Sequence, residues 1–394
     1  MKNSKLLAAS LLSLTFLASC NGNKEQQKTT EEQTVKQEAT TDGTNLKETD
    51  FKSTVDGKEV SLYYIKAKNI NVAFTNFGAR IVGLWVPDKD GKMTDVVVGL
   101  NSTKGFQDST EPYFGATIGR VGNRIAKGTF KLDGKEYHIP LNNDKNSLHG
   151  GKKGFQYVVW NVEQPNEKTL VFTYTSPDGE EGFPGNLKVK VTYIVDDNQA
   201  LKMVYEAVTD KKTPVNLTNH AFFNLNGEGS GTVLNHKVMI NANEYTPVDG
   251  GLIPFGKLEK VAGTPFDFTT FHTIGERIEK DNVQLKNGKG YDHNFALNNG
   301  MTKQMRDVAT VAGDKSGIVM KVFTIEPGLQ FYSGNFMQGK NTFKSGAKDD
   351  FRTAFAMETQ HFPDAINQPS FAPIILAPGS IYKTESEYRF SVEK

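Results

Sequence analysis

Several short stretches of this chain carry side chains suited to moving protons or gripping hydroxyl groups. Residues 216–225 alternate with period two, as a strand does. One face holds Leu217, Ala221, Phe223 and Leu225, interrupted by Asn219; the other holds Asn216, Thr218, His220, Phe222 and Asn224. The second face sets an imidazole, which titrates near neutrality, between a hydroxyl and an aromatic ring, with amides on either side. Amides bond hydroxyls and a ring covers the apolar side of a sugar, so this face suits an uncharged polyhydroxy ligand. In 353–362, Glu358 shares a strand face with Ala354, Ala356 and Gln360. Small neighbours leave room above the carboxylate, and a charge in so apolar a segment needs a pocket or a partner. In 290–295, Asp292 and Asn294 share one face. Gln330 lies beside aromatics in 326–332, and His149 precedes the Gly150-Gly151 turn in 146–151. In 119–128, Arg120 and Arg124 stand four apart among glycines that let backbone approach a ligand. Together these residue types point to general acid–base chemistry on a neutral, hydroxyl-rich substrate.

Other chemistries fit less well. There is no His-x-x-x-His pair and no cysteine ligand in the domain, and His149 and His220 lie on separate segments, so no metal site is expected. No serine or cysteine elbow is present. Gly119-Arg120-Val121-Gly122 is too short for a dinucleotide motif. With 46 basic against 45 acidic residues, a net charge of +1 and no basic block, nucleic acid is not an expected partner.

The elements that must position these groups read as strands. Residues 60–65, 71–74, 81–86, 96–100, 158–162, 170–174, 187–195 and 201–207 are short and rich in β-branched or aromatic residues. Asp-Gly pairs at 56–57, 90–91, 133–134 and 178–179 are tight-turn signals. Only 269–280, through Phe271, Ile274 and Ile278, suggests a short helix. Without alternation of strand and long helix a doubly wound fold is not expected, and the expectation is all-β: a large antiparallel β-sandwich over 51–394.

Ahead of it, Lys2 and Lys5 precede an apolar run from Leu6 to Leu17, a leader too short to span a bilayer. The run ends Leu17-Ala18-Ser19-Cys20, and Cys20 is the only cysteine of 394 residues. Residues 1–20 resemble a bacterial lipoprotein signal, which implies lipidation at Cys20 and a place in the cell envelope, facing the periplasm or the surface. Residues 21–50 are polar, without an aromatic residue, and read as a flexible tether.

The stretches 119–128, 146–151, 216–225, 291–295, 326–336 and 357–365 resemble, in order, the signatures of the aldose 1-epimerase family. The resemblance covers the chain from about residue 50 to its end. It implies a β-sandwich mutarotase that interconverts the anomers of hexoses such as galactose and glucose. It implies Glu358 as catalytic base, His220 as catalytic acid and His149 as a second active-site histidine. Asn123, Arg124, Asp292 and Gln330 would bind substrate. Where the family commonly has tyrosine two residues after the acid histidine, this chain has Phe222, which keeps only an aromatic face for the sugar. No cofactor is required, a structural ion such as calcium is left open, and a monomer is expected. The competing readings are a glycoside-active enzyme using Asp292 with Glu358, a sugar-binding envelope lipoprotein without catalysis, and a phosphosugar epimerase with extra cations in its pocket.

Overall fold

The structure, a computed structural model, describes residues 46–393. Cys20, the leader and most of the polar tether lie outside the described residues.

Two antiparallel sheets face each other. The nine-stranded sheet runs, in spatial order, Asn161–Asn166, Thr169–Ser176, Leu187–Val195, Ala200–Thr209, Tyr382–Val392, Ile318–Thr324, Arg306–Ala312, Lys237–Ile240 and His272–Thr273. The seven-stranded sheet runs Glu259–Lys260, Glu244–Tyr245, Asp292–Ala296, Gly328–Tyr332, Phe355–Gln360, Phe222–Phe223 and Val97–Val98. Period-two patterning makes the sandwich. In Leu187–Val195 the residues Leu187, Val189, Val191, Tyr193 and Val195 are buried, while those between face outward or are half-buried. Phe223 of the smaller sheet packs its ring 5.0 Å from that of Tyr388 in the larger one. The Tyr388 hydroxyl donates to the Met357 carbonyl at 2.9 Å, so a polar tip buried between the sheets has a partner. A third, four-stranded sheet joins Leu62–Ala67, Ile70–Thr75, Arg80–Pro87 and Met93–Asp95.

The seven-stranded sheet is buried on both faces. Phe223, Phe295, Leu329, Phe331, Phe355 and Met357 point into the main core. Val98, Phe222, Tyr332 and Ala356 point the other way, into a second apolar cluster with Phe114 and Phe343. The polar side chains singled out in the sequence share this second face: register pairs Asn294 with Gln330 and Gln330 with Glu358, and Asp292 with Tyr332.

Three expectations are corrected. Residues 216–225 are not one strand. Thr218–His220 pairs with Ala116–Ile118, whereas Phe222–Phe223 pairs with Phe355–Gln360 and Val97–Val98. The break lies at Ala221, whose amide donates to the Asn219 side chain at 2.9 Å instead of to a neighbouring strand. The helix suggested over 269–280 is the short strand His272–Thr273 followed by a single 3-10 turn, Ile274–Glu276; a helix forms later, at Val283–Gly288, capped by the Asn282 side chain. The last residues assigned to the tether join the fold: Glu48–Phe51 is a helical turn, and wholly buried Phe51 accepts a hydrogen bond from Thr103 Oγ1. The Asp-Gly signals split. Asp56-Gly57 and Asp133-Gly134 both take positive φ at two successive residues and close two-residue hairpins. At 90–91 and 178–179 only the glycine does.

Candidate active site

Five of the stretches that carry candidate residues converge on a cavity of about 570 Å³. Its wall includes Asn123, Arg124, His149, His220, Asp292 and Glu358, six of the residues singled out in the sequence. His220 ends the strand that pairs with Ala116–Ile118, and Glu358 lies within Phe355–Gln360. Their facing atoms, Nε2 and Oε1, are 3.5 Å apart, and both side chains are buried. His149 joins them: its ring is 5.2 Å from that of His220, and one ligand-type atom from each of the three lies within 4.8 Å of the others.

His149 is held by backbone. It takes φ +52°, followed by Gly150 at +87° and Gly151 at +98°. A side chain at Gly150 would place its Cβ 1.9 Å from the Gly119 carbonyl oxygen, so the turn requires glycine. The Asn123 amide donates to His149 Nδ1 at 3.1 Å, while the His149 amide donates to the Asn123 carbonyl at 3.0 Å. Because Nδ1 accepts, the neutral ring carries its proton on Nε2 and offers a donor there. The three-residue cluster thus presents a metal with one imidazole lone pair fewer than its composition suggests. A sugar oxygen suits it better.

Burial sets the electrostatics. Desolvation pushes His220 down to about 3. His149 is pushed well below the usual imidazole range by burial, and then by His220 and Arg124. Glu358 is pushed well above the usual carboxylate range by burial and next by Asp292; Arg124 opposes the shift and Glu111 adds to it. Burial thus disfavours the charged form of both partners, imidazolium and carboxylate alike. His220 does not titrate near neutrality, as its residue type alone suggests.

Arg124 and Asp292 form the polar side of the cavity, with Nη2 and Oδ2 3.6 Å apart. Arg124 Nε also donates to Asn143 Oδ1 at 3.1 Å. The Asn123 side chain accepts from the Arg124 amide at 2.9 Å. Arg120, four residues earlier, turns away: its guanidinium donates to the carbonyls of Pro184 and Gly185 and to Ser176 and Thr213.

Two residues expected to contact substrate are not on the wall. Phe222 is 0 % exposed; its ring stacks on His220 at 4.7 Å and packs on Phe114 at 4.8 Å, so it supports the histidine from behind. Gln330 is 3 % exposed and donates from Nε2 to Asp292 Oδ1 at 2.6 Å. The flanking amides Asn216 and Asn224 are also spent on backbone, bonding Gly122 and His361, and Gly231 and Thr353.

Sequence reasoning missed Glu111, Tyr113 and Tyr332, all on the wall. Tyr113 lies against both histidines, 4.5 Å from the ring of His149 and 5.6 Å from that of His220. Burial pushes Glu111 up to about 7, and its Oε1 accepts the Tyr113 amide. Tyr332 was within reach, being two residues from Gln330 on the same strand face. Glu111 and Tyr113 flank a proline outside any periodic segment and carry no such signal.

Residues 61–389 match the family model described as aldose 1-epimerase. Galactose mutarotase of Rattus norvegicus is 44 % identical over 336 residues, 85 % of this chain and 95 % of that protein. Aldose 1-epimerase of Escherichia coli is 38 % identical over 325 residues, 82 % of this chain and 92 % of that one. Among solved structures, an aldose epimerase homologue from C. elegans superposes with a TM-score of 0.78 at 29 % identity, covering 85 % of this chain and all of the other. Fold, motif order and matched length agree, and the chain belongs to the aldose 1-epimerase family.

Proposed function

We propose that this protein is a mutarotase, an isomerase that opens and recloses the ring of free aldohexoses such as galactose and glucose. The observation that carries the reading is the pair His220–Glu358, 3.5 Å apart in a cavity otherwise lined by hydroxyl-binding groups. Glu358 takes the proton of the anomeric hydroxyl while His220 gives one to the ring oxygen. The C1–O5 bond breaks and C1 becomes a carbonyl. Rotation about C1–C2 presents the other face, and the two transfers run backwards to close the opposite anomer. The pair enters as carboxylate with imidazolium and leaves ring opening as carboxylic acid with neutral imidazole. Burial favours that second state, so it favours the open-chain complex. His149 donates from Nε2 to a sugar oxygen, and Arg124 with Asp292 holds hydroxyls. Proton transfer needs no cofactor.

Arg124 and Lys289 are the cations of the cavity wall, and Arg124 is engaged by Asp292 and Asn143, which disfavours a phosphorylated sugar. Asp292, the carboxylate that a hydrolytic reading pairs with Glu358, is engaged by Arg124 and Gln330. Polarimetry on freshly dissolved α-D-glucose and α-D-galactose is the test. Saturable sugar binding with no acceleration of mutarotation would leave a binding protein instead.

We also propose that Cys20 carries lipid and holds the domain at the cell envelope, on the strength of the Lys2/Lys5, apolar, Leu-Ala-Ser-Cys series.

A further inference from the structure

We propose that Tyr113 is a positioning residue of the reaction: from the cavity side, its ring holds the plane of His220 so that Nε2 stays directed at Glu358. The inference deepens the acid–base reading above and rests on it.

An imidazole turns easily about its Cβ–Cγ bond, because that torsion has broad minima. Only some of its orientations keep Nε2 at 3.5 Å from Glu358 Oε1. A ring-nitrogen hydrogen bond is the usual way to choose among them, and His149 has one, from the Asn123 amide to Nδ1. His220 has none: among the described residues its buried Nδ1 finds no hydrogen-bond partner in another residue. Aromatic rings do the orienting instead. Phe222 lies behind the imidazole at 4.7 Å and 26°, and Tyr113 lies on the cavity wall at 5.6 Å and 23°. Both are nearly parallel to it, at offset-stacking separations. An imidazole laid along two flat neighbours cannot swing freely in a close-packed site.

Tyr113 is itself firmly held. Its amide donates to Glu111 Oε1 at 3.2 Å, and its carbonyl accepts from the Ala116 amide at 3.0 Å. The carbonyls on either side, of Pro112 and Phe114, accept from Arg80 Nη1 at 3.1 and 2.9 Å. Arg80 is wholly buried, and its other donors go to the carbonyls of Phe77 and Gln156 at 3.0 and 2.6 Å. A buried guanidinium spent on backbone is costly, and the stretch it fixes is the one that presents Tyr113. At the tip of the ring, Asn142 Nδ2 lies 3.5 Å from the hydroxyl. The same Asn142 side chain bonds the Leu148 amide and carbonyl and the Gly151 carbonyl, so it also braces the turn that carries His149.

The titratable groups around His220 are Glu358, His149, Tyr113 and Tyr332, whose ring meets the imidazole edge-on at 6.4 Å; Arg124, Asp292 and Glu111 line the same cavity. Tyr113 covers the cavity side of the imidazole and adds to the desolvation that disfavours its charged form.

The test uses the full chain with Tyr113→Phe, which keeps the ring, and Tyr113→Ala, which removes it. Polarimetric kcat and KM are read against pH. The His220 imidazole is titrated by nuclear magnetic resonance, its signals identified by their loss in His220→Asn. In Tyr113→Ala water reaches the imidazole and eases its desolvation. The His220 midpoint and the acid limb of kcat/KM should then both rise by about one pH unit. Its kcat should fall about tenfold, with KM changed less than about twofold. Tyr113→Phe should lower kcat by about threefold at most and shift both midpoints far less than Tyr113→Ala does. An unmoved His220 midpoint with wild-type kcat in Tyr113→Ala would overturn the proposal. So would a raised KM at unchanged kcat in either variant, which would make Tyr113 a sugar contact. Should Tyr113→Ala fail to fold, Tyr113→Leu decides it: a fall in kcat at constant KM supports the role, and wild-type kcat overturns it. A wild-type protein without mutarotase activity would refute the function, while the His220 titration would still judge Tyr113.

Discussion

An ordinary glutamate and an ordinary histidine hold a single proton between them only from about pH 4.3 to 6.5. Burial of Glu358 and His220 moves one value well up and the other down to about 3, so the one-proton window widens at both ends. Each direction of the sugar reaction needs that one proton. Activity should therefore plateau between an acid limb near 3, where His220 gains a second proton, and an alkaline limb at higher pH, where Glu358 loses the last one. Glu358→Gln should lower kcat by about 10²- to 10⁴-fold, leave KM nearly unchanged and erase the alkaline limb. His220→Asn should lower kcat similarly, and the double variant should be far less impaired than the product of the singles. A folded Glu358→Gln protein with near wild-type kcat would refute the assignment. Phe222 shows where residue type misleads. The sequence places it beside His220 correctly, one strand period away, but does not reveal that the ring lies behind the imidazole. Phe222→Ala should then cost about 3–5 kcal/mol of stability and lower kcat by loosening His220. Thermal melts with polarimetry check this; a raised KM at constant kcat would return Phe222 to the sugar.

At the scale of elements, strands whose residues alternate cleanly were legible. Leu187–Val195 matches its sequence reading end to end. Strands with two buried faces were legible as elements but not as sheet partners, because both sides are apolar and pairing depends on distant segments. The split of 216–225 has a local cause, the Asn219–Ala221 turn bond, which looks in sequence like one more polar residue on a core face. The turn that carries His149 was legible as a turn from its two glycines, and its geometry makes a sharp forecast. Gly150→Ala sets a methyl against the Gly119 carbonyl at positive φ. It should destabilise the fold by about 1–3 kcal/mol and lower activity further by displacing His149. Calorimetry and polarimetry on the variant check it, and unchanged activity in a less stable protein would separate the turn from catalysis.

Across the whole molecule, the groups at the site come from residues 111 to 358. No local pattern brings such residues together; the ordered series of stretches did, by resemblance to a family. What that series left unread is the layering, in which Asp292 and Glu358 face the cavity while Phe222 stands behind. At this scale the leader adds a forecast of its own. Cys20→Ala should move the protein from the membrane fraction to the soluble fraction after cell disruption, without altering its polarimetric rate. A wild-type protein as soluble as the variant would refute lipidation.

Phe222 pairs with Ala356 in the ladder of the seven-stranded sheet. Each stands two residues from one member of the acid–base pair, Phe222 from His220 and Ala356 from Glu358. The separation of the proposed acid and base is thus set by this strand pairing together with the Asn219–Ala221 turn bond that carries His220, and not by a loop that closes over the substrate. Such a catalyst is assembled when it folds and has nothing left to assemble when sugar arrives. In deuterated solvent, amides of the Phe222–Ala356 ladder should exchange only as fast as the whole domain opens, with or without galactose. Protection of that ladder that appears only on adding galactose would mean that the sugar itself completes the site.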